Sequence, residues 1–205
     1  MKFGARFVSV VFHPFLLPIL VFSYIFFFLP SLVLPVKPEM FGSLLLLISL
    51  TTCILPSFLV FVLFKLKIVA TANIEGRRDR FIPQTLASAI YAATTWLFYD
   101  RLAIVPIFYV LLGSMTMCMI SVTIINYFWK ISAHSTGMGG LISFLFFLAY
   151  HYGDHQFLAI AIAGVFFAGI VMSARLYLQV HMLSQVCLGF LLGLDISLFF
   201  VSYIS

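Results

Sequence analysis

The chain has 205 residues, 64% of them hydrophobic and 8% charged, with a formal net charge of +5. A soluble domain carries about 25% charged residues, so there is too little polar surface here to cover a globule in water. A charge this sparse also excludes a nucleic-acid footprint. Cys53, Cys118 and Cys187 all fall within apolar runs, giving neither a disulfide framework nor zinc spacing.

The composition predicts an all-α, polytopic transmembrane helical bundle of six or seven spans, forming a single integral membrane domain over 1–205. A short basic start, Met1 to Arg6, precedes an apolar run from Phe7 to Leu29. That run exceeds the h-region of a signal peptide, and no small-x-small site ends it before Pro30. It reads as a retained first helix, kinked at His13-Pro14 or Pro18. His13 is expected to make a helix-interior contact, with a place near a site as the alternative.

A proline-bearing loop from Ser31 to Met40 leads to a second span, Phe41 to Phe64. Lys65 to Pro83 is polar. Gln84 to Tyr99 is a shorter third span, and Asp100-Arg101 marks a tight turn. Leu102 to Phe128 is the fourth span, and Lys130 to Thr136 is polar again. Gly137 to Tyr150 is the fifth span, its opening glycines permitting close packing. His151 to His155 is a turn. Gln156 to Met172 is the sixth span and Leu183 to Ile204 the seventh.

Counting spans gives a test of placement. Two spans separate the Lys65–Pro83 stretch from Lys130–Thr136, and two more separate that from Ser173–His181. All three polar stretches therefore emerge on one side, where a single interfacial site could gather them.

The last stretch is the most informative. If Val180 onward is helical, His181 and Gln185 sit one turn apart on one face. The glutamine carbonyl can then accept from one ring nitrogen, fix the tautomer and leave the other nitrogen free to attack. Arg175 needs a bend in the chain to reach the same pocket. In Asn73-Ile-Glu-Gly-Arg-Arg-Asp-Arg80, Arg77 and Arg80 share a helical face and could grip a phosphate from two directions. In Lys130-Ile-Ser-Ala-His134, the lysine lies one turn before the histidine. An arginine fork beside an imidazole suits a phosphoryl group.

These three stretches resemble the motifs of the phosphatidic acid phosphatase type 2 (PAP2) superfamily of membrane lipid phosphatases, related to vanadium haloperoxidases. The third motif, S-R-x5-H-x3-D, matches Ala174-Arg175, His181 and Gln185, with alanine for serine and glutamine for aspartate. The second, P-S-G-H, matches Ser132 and His134, with Ile131 and Ala133 replacing proline and glycine. The first, K-x6-R-P, matches Arg80, with Asn73 at the lysine position and the proline arriving late as Pro83.

The resemblance covers about residues 65–193 and implies a PAP2-like core. It implies that His181 is the nucleophile forming a phosphohistidine and that Gln185 orients it. By the same resemblance His134 protonates the leaving alkoxide, while Arg80, Ser132 and Arg175 hold phosphate oxygens; Arg77 and Lys130, each a turn from a motif residue, are candidates to add cations to the same phosphate. The substrate would be a lipid phosphomonoester or diphosphate, met among the lipids of a bacterial inner membrane. The acids near the set are Glu75 and Asp79 alone, so no metal or other cofactor is expected. An acid at 185 would better stabilise a charged His181, so Gln185→Asp is expected to keep or raise activity.

Two other readings remain open. The departures at Asn73, Ala133 and Gln185 favour a non-catalytic binder of anionic lipid heads. A phosphotransferase, with a lipid or sugar hydroxyl in place of water, fits the same residues as a hydrolase. The family resemblance implies a site facing outward, whereas Lys2, Arg6, Lys65 and Lys67 on the site side favour a cytoplasmic face by the positive-inside rule. His151, Asp154 and His155 read as a solvated turn and not a metal site. Asp195, in the last span, reads as a protonated or serine-bonded acid.

Overall fold

The computed structural model describes residues 2–69, 77–101, 105–153 and 155–203, with the side chains of residues 77–79 outside the description. Every regular element among the described residues is helical. Five helical segments are long and apolar enough to cross a membrane: Pro38–Lys65, Pro106–Phe128, Ala133–Tyr152, His155–Tyr177 and Leu183–Val201. The chain is thus an integral membrane protein, all-helical among the described residues, where five such segments are found against the six or seven spans predicted.

The difference lies in two places. The apolar run from Phe7 to Leu29 is not one kinked helix. It is a short helix α1, Lys2–Val11, and a second helix α2, Leu17–Phe28. Pro14 has no N–H to continue the ladder and disfavours helical dihedrals at the residue before it. His13 instead donates its N–H to Val10, and the chain re-enters helix at Leu17. With 12 residues, α2 rises about 18 Å, short of a bilayer core of about 30 Å.

The second place is α5, Arg77–Arg101, which contains the predicted third span. It is charged at both ends and rich in Ser, Thr and Ala between them. Asp100-Arg101, expected as a turn, stays helical as an exposed ion pair of 3.0 Å.

The segment Pro38–Lys65 carries α3, Phe41–Ser49, a π-helical turn over Leu50–Ile54, and α4, Leu55–Lys65. Pro56 cannot donate to the carbonyl of Thr52, four residues before it. The hydroxyl of Tyr91 on α5 donates to that carbonyl at 3.0 Å. The carbonyl gains a side-chain donor in an apolar setting, and α5 is tied to its neighbour.

Helix α6, Pro106–Phe128, packs along α5 through polar pairs: Thr95 with Thr116 at 2.8 Å and Ser88 with Thr123 at 3.2 Å. Such pairs contribute about 0.6 kcal/mol each inside a membrane. An aromatic cluster fills the end of the bundle away from the polar stretches, with Phe22 stacked on Phe108 at 5.6 Å and Phe26 on Phe41 at 4.8 Å.

The centre of the fold is α7, Ala133–Tyr152, docked on α9, Leu183–Val201, with α8, His155–Tyr177, behind α7. Glycines make the close approach possible. A Cβ at Gly139 would land on the carbonyl of Phe190, and one at Gly193 on the carbonyl of Thr136. With no side chain in the way, the two backbones meet directly.

Candidate active site

The polar stretches meet in one cavity of about 640 Å³, inside the range of small-ligand sites. Arg80 reaches its wall from the first turn of α5, His134 from the start of α7, Arg175 from the last turn of α8, and His181 from the link to α9. The four residues that span counting expected to gather therefore line one cavity.

The α8–α9 link supplies the bend that Arg175 and His181 require. Helix α8 ends in a Schellman motif: Val180 N–H donates to the Arg175 carbonyl and Gln179 N–H to that of Leu176. Gln179 adopts the left-handed conformation at φ 57°. The chain reverses there, and His181 returns to the cavity that Arg175 faces.

His181 and Gln185 do meet, though not on one helical face. Helix α9 begins at Leu183, so His181 precedes it and Gln185 is its third residue. The Oε1 of Gln185 accepts from the backbone N–H of Met182 at 3.1 Å and lies 3.1 Å from Nδ1 of His181. A backbone N–H can only donate, so the atom facing it is the amide oxygen. That oxygen can only accept, so Nδ1 of His181 carries the proton and Nε2 keeps its lone pair. Both side chains are buried. Burial, with the cations Arg80, Arg175 and Lys130 nearby, lowers the pKa of His181 to about 3, against the opposite pull of its bond to Gln185. Its imidazole is neutral at physiological pH.

The same reasoning fixes His134. Its Nε2 lies 2.9 Å from the carbonyl oxygen of Ser9, which can only accept. That carbonyl is free because α1 stops short of pairing it with His13. His134 therefore carries its proton on Nε2, leaving Nδ1 as the nitrogen that can exchange one.

Ser132 takes a different position from the one the resemblance implies. It is buried, and its Oγ accepts from Ser135 N–H at 3.4 Å and from Ser135 Oγ at 2.9 Å. It caps α7 and is not on the cavity wall. Its backbone N–H donates to the Gln185 carbonyl at 3.2 Å, joining the two histidine-bearing stretches. Lys130 is not on the cavity wall but is close enough to act on His181 electrostatically. Arg80 is buried on the wall. The side chain of Arg77 lies outside the described residues, as do Asn73, Glu75 and Asp154.

The amino-terminal segment is the part that sequence reading missed. Arg6, Ser9 and His13 all line the cavity. His13 is not a helix-interior contact: its ring stands perpendicular to that of His134, with centroids 5.2 Å apart. The available signal was the His13-Pro14 dipeptide, which favours a break over a kink.

No acidic side chain lines the cavity among the described residues, so its electrostatic character is set by arginine and imidazole. No cluster of metal-ligating side chains occurs among the described residues. Asp195 lies exposed on α9, and none of the described hydroxyls bonds it. Compared with family models, curated proteins and solved structures, the chain finds no match in any of the three.

Proposed function

We propose that this protein is a membrane phosphatase acting on a lipid phosphomonoester or diphosphate through a phosphohistidine at His181. One observation carries the reading. His181 is held as the Nδ1–H tautomer by Gln185, with its Nε2 lone pair free, in a cavity that also contains Arg80 and Arg175.

The steps follow from the tautomers. A singly protonated phosphoester passes its proton to Nδ1 of His134 on binding. Nε2 of His181 then attacks phosphorus in line, and the bond to the leaving oxygen breaks. That oxygen takes the proton back from His134. In the second half a water loses a proton to Nδ1 of His134 as its oxygen attacks phosphorus, and the N–P bond breaks. Arg80 and Arg175 balance the charge on the equatorial oxygens throughout, where preorganised donors are most effective. An adjoining apolar slot of about 60 Å³ shares Pro14, Met119 and Ala133 with the cavity wall and gives the first carbons of a lipid tail a place.

A second reading has one observation in its favour. Gln185 is neutral and cannot match a full positive charge on His181, which suits a protein that binds anionic lipid heads without turning them over. The deciding experiment is phosphate release by the detergent-purified protein from a panel of lipid mono- and diphosphates, with chelator present. Release that disappears in His181→Ala supports the phosphatase. Binding of the same lipids without release supports the binder.

A further inference from the structure

We infer that His13 is a third histidine of this site, a substrate-contacting hydrogen-bond donor and not a base. The inference rests on reading the cavity as a phosphate site. The gap between α1 and α2 brings His13 to the wall. There the backbone N–H of Phe15 donates to Nδ1 of His13 at 3.3 Å. An amide N–H has no acceptor role, so Nδ1 is the unprotonated nitrogen and the neutral ring carries its proton on Nε2.

Nδ1 is therefore committed to the chain's own turn, and the distal Nε2–H is the atom left to meet a ligand. Its surroundings match an oxyanion. Arg175 lines the same cavity, and His134 stands perpendicular beside it with its own Nε2 engaged by Ser9. A phosphoryl oxygen in this corner would accept from His13 while its proton exchanges with Nδ1 of His134. Each of the three imidazoles then has its own role. His181 offers a lone pair, His134 exchanges a proton, and His13 donates a hydrogen bond without releasing its proton.

The simpler alternative is that His13 only closes the turn after α1 and packs on Phe15 and His134. Two amide substitutions separate these. Asparagine places its carbonyl where Nδ1 stood, so His13→Asn keeps the bond from Phe15 and loses the distal donor. Glutamine places an N–H where Nε2 stood, so His13→Gln keeps the donor and loses the turn bond.

The probe is inorganic phosphate, titrated calorimetrically into the detergent-solubilised full chain. Loss of one hydrogen bond to a charged group predicts binding about ten- to a hundredfold weaker in His13→Asn, with His13→Gln within about threefold of wild type. Asparagine binding as tightly as wild type, glutamine losing as much as asparagine, or no phosphate binding by wild type at millimolar concentration would each overturn the inference. Should the asparagine variant fail to fold, proton–nitrogen spectra of the wild type decide. The Nε2–H resonance absent from His13→Gln must move on addition of phosphate, and a resonance that stays put refutes the contact.

Lipid-phosphate turnover measured on the same samples separates this inference from the phosphatase reading. Phosphate binding with the expected pattern, in a protein that releases no phosphate from lipids, keeps the role of His13 and removes the hydrolase. Wild-type turnover and KM in His13→Asn remove His13 and keep the hydrolase.

Discussion

The Nε2 of His134 lies 2.9 Å from the backbone carbonyl of Ser9, a residue 125 positions earlier in the chain. The Ser9 hydroxyl is occupied elsewhere, donating to Ala5. Ser9→Ala should therefore leave turnover within about twofold of wild type, because only the carbonyl orients the imidazole. His134→Gln keeps a donor for that carbonyl but cannot exchange a proton, and should lower turnover about 10²- to 10⁴-fold in a folded protein. Phosphate-release assays on both variants test the pair, and a large loss in Ser9→Ala would show that the hydroxyl has a role of its own.

Gln185 accepts from two donors at once, so its side-chain length matters as much as its charge. Glutamate preserves that length and adds the charge that would stabilise an imidazolium, which makes Gln185→Glu a sharper probe than the shorter aspartate. Turnover in Gln185→Glu should equal or exceed wild type. Gln185→Leu, which leaves Met182 N–H and His181 Nδ1–H without an acceptor, should lose at least about tenfold. Equal activity in the two variants would mean that the amide does not orient the nucleophile.

The pKa of His181 is lowered from 6.5 to about 3 by burial and by the neighbouring arginines and lysine. The unfolded chain therefore binds a proton that the folded chain excludes between those two values. Stability from this group is fully present above pH 6.5 and is lost as pH falls toward 3. Thermal unfolding in detergent at pH 7, 5.5 and 4.5 should show a Tm that falls with acid. The fall should be smaller in His181→Gln, which removes the titrating ring, and an identical fall would assign the acid sensitivity to other groups.

How much of this could be read in advance depends on which atoms carried the information. The pairing of His181 with Gln185 was legible because spacing alone puts them within reach. The geometry that achieves it was not: the residues meet across the helix start at Met182–Leu183, where Oε1 also satisfies an unpaired backbone N–H. Arg80, His134, Arg175 and His181 line one cavity as expected, although the count that put them together included α5 as a span. Ser132 was legible as a motif residue, but the same hydroxyl suits a helix cap, and the cap is where it sits. Ser9 acts through its backbone, which every residue possesses, so no side-chain pattern could mark it. His13 was hidden by an apolar run that hydrophobicity alone extends through Pro14.

The α7–α9 contact gives a prediction with its own control. A methyl at Gly193 has to displace the carbonyl of Thr136, which is backbone and cannot move without shifting α7. Gly193→Ala should therefore lower the Tm markedly and reduce the yield of monodisperse protein. Gly169→Ala, on α8, meets nothing within 4 Å and should be tolerated. Equal stability of the two variants would show that α7 and α9 are not in direct backbone contact.

Gln179 holds a left-handed conformation that costs a residue with a Cβ about 1 kcal/mol or more. Gln179→Gly should raise stability by up to about 1 kcal/mol with phosphate release unchanged, since Gln179 is not on the cavity wall. A drop in stability, measured by chemical denaturation in detergent, would show that its side chain makes a compensating contact.

The glycine-lined contact between α7 and α9 also decides which parts of the site can separate. His134 rides on α7, and His181 is fastened to the start of α9 through Gln185, whose carbonyl also receives the N–H of Ser132. The two imidazoles therefore belong to one stiff chassis, and admitting a bulky lipid head by prying them apart would cost the whole interface. Another part of the wall is α1, a short helix leaning on α8 with Phe3 and Phe7 turned outward and Arg6 and Ser9 on the cavity. A covalent tether from α1 to α8 would therefore stiffen that wall and leave both histidines in place.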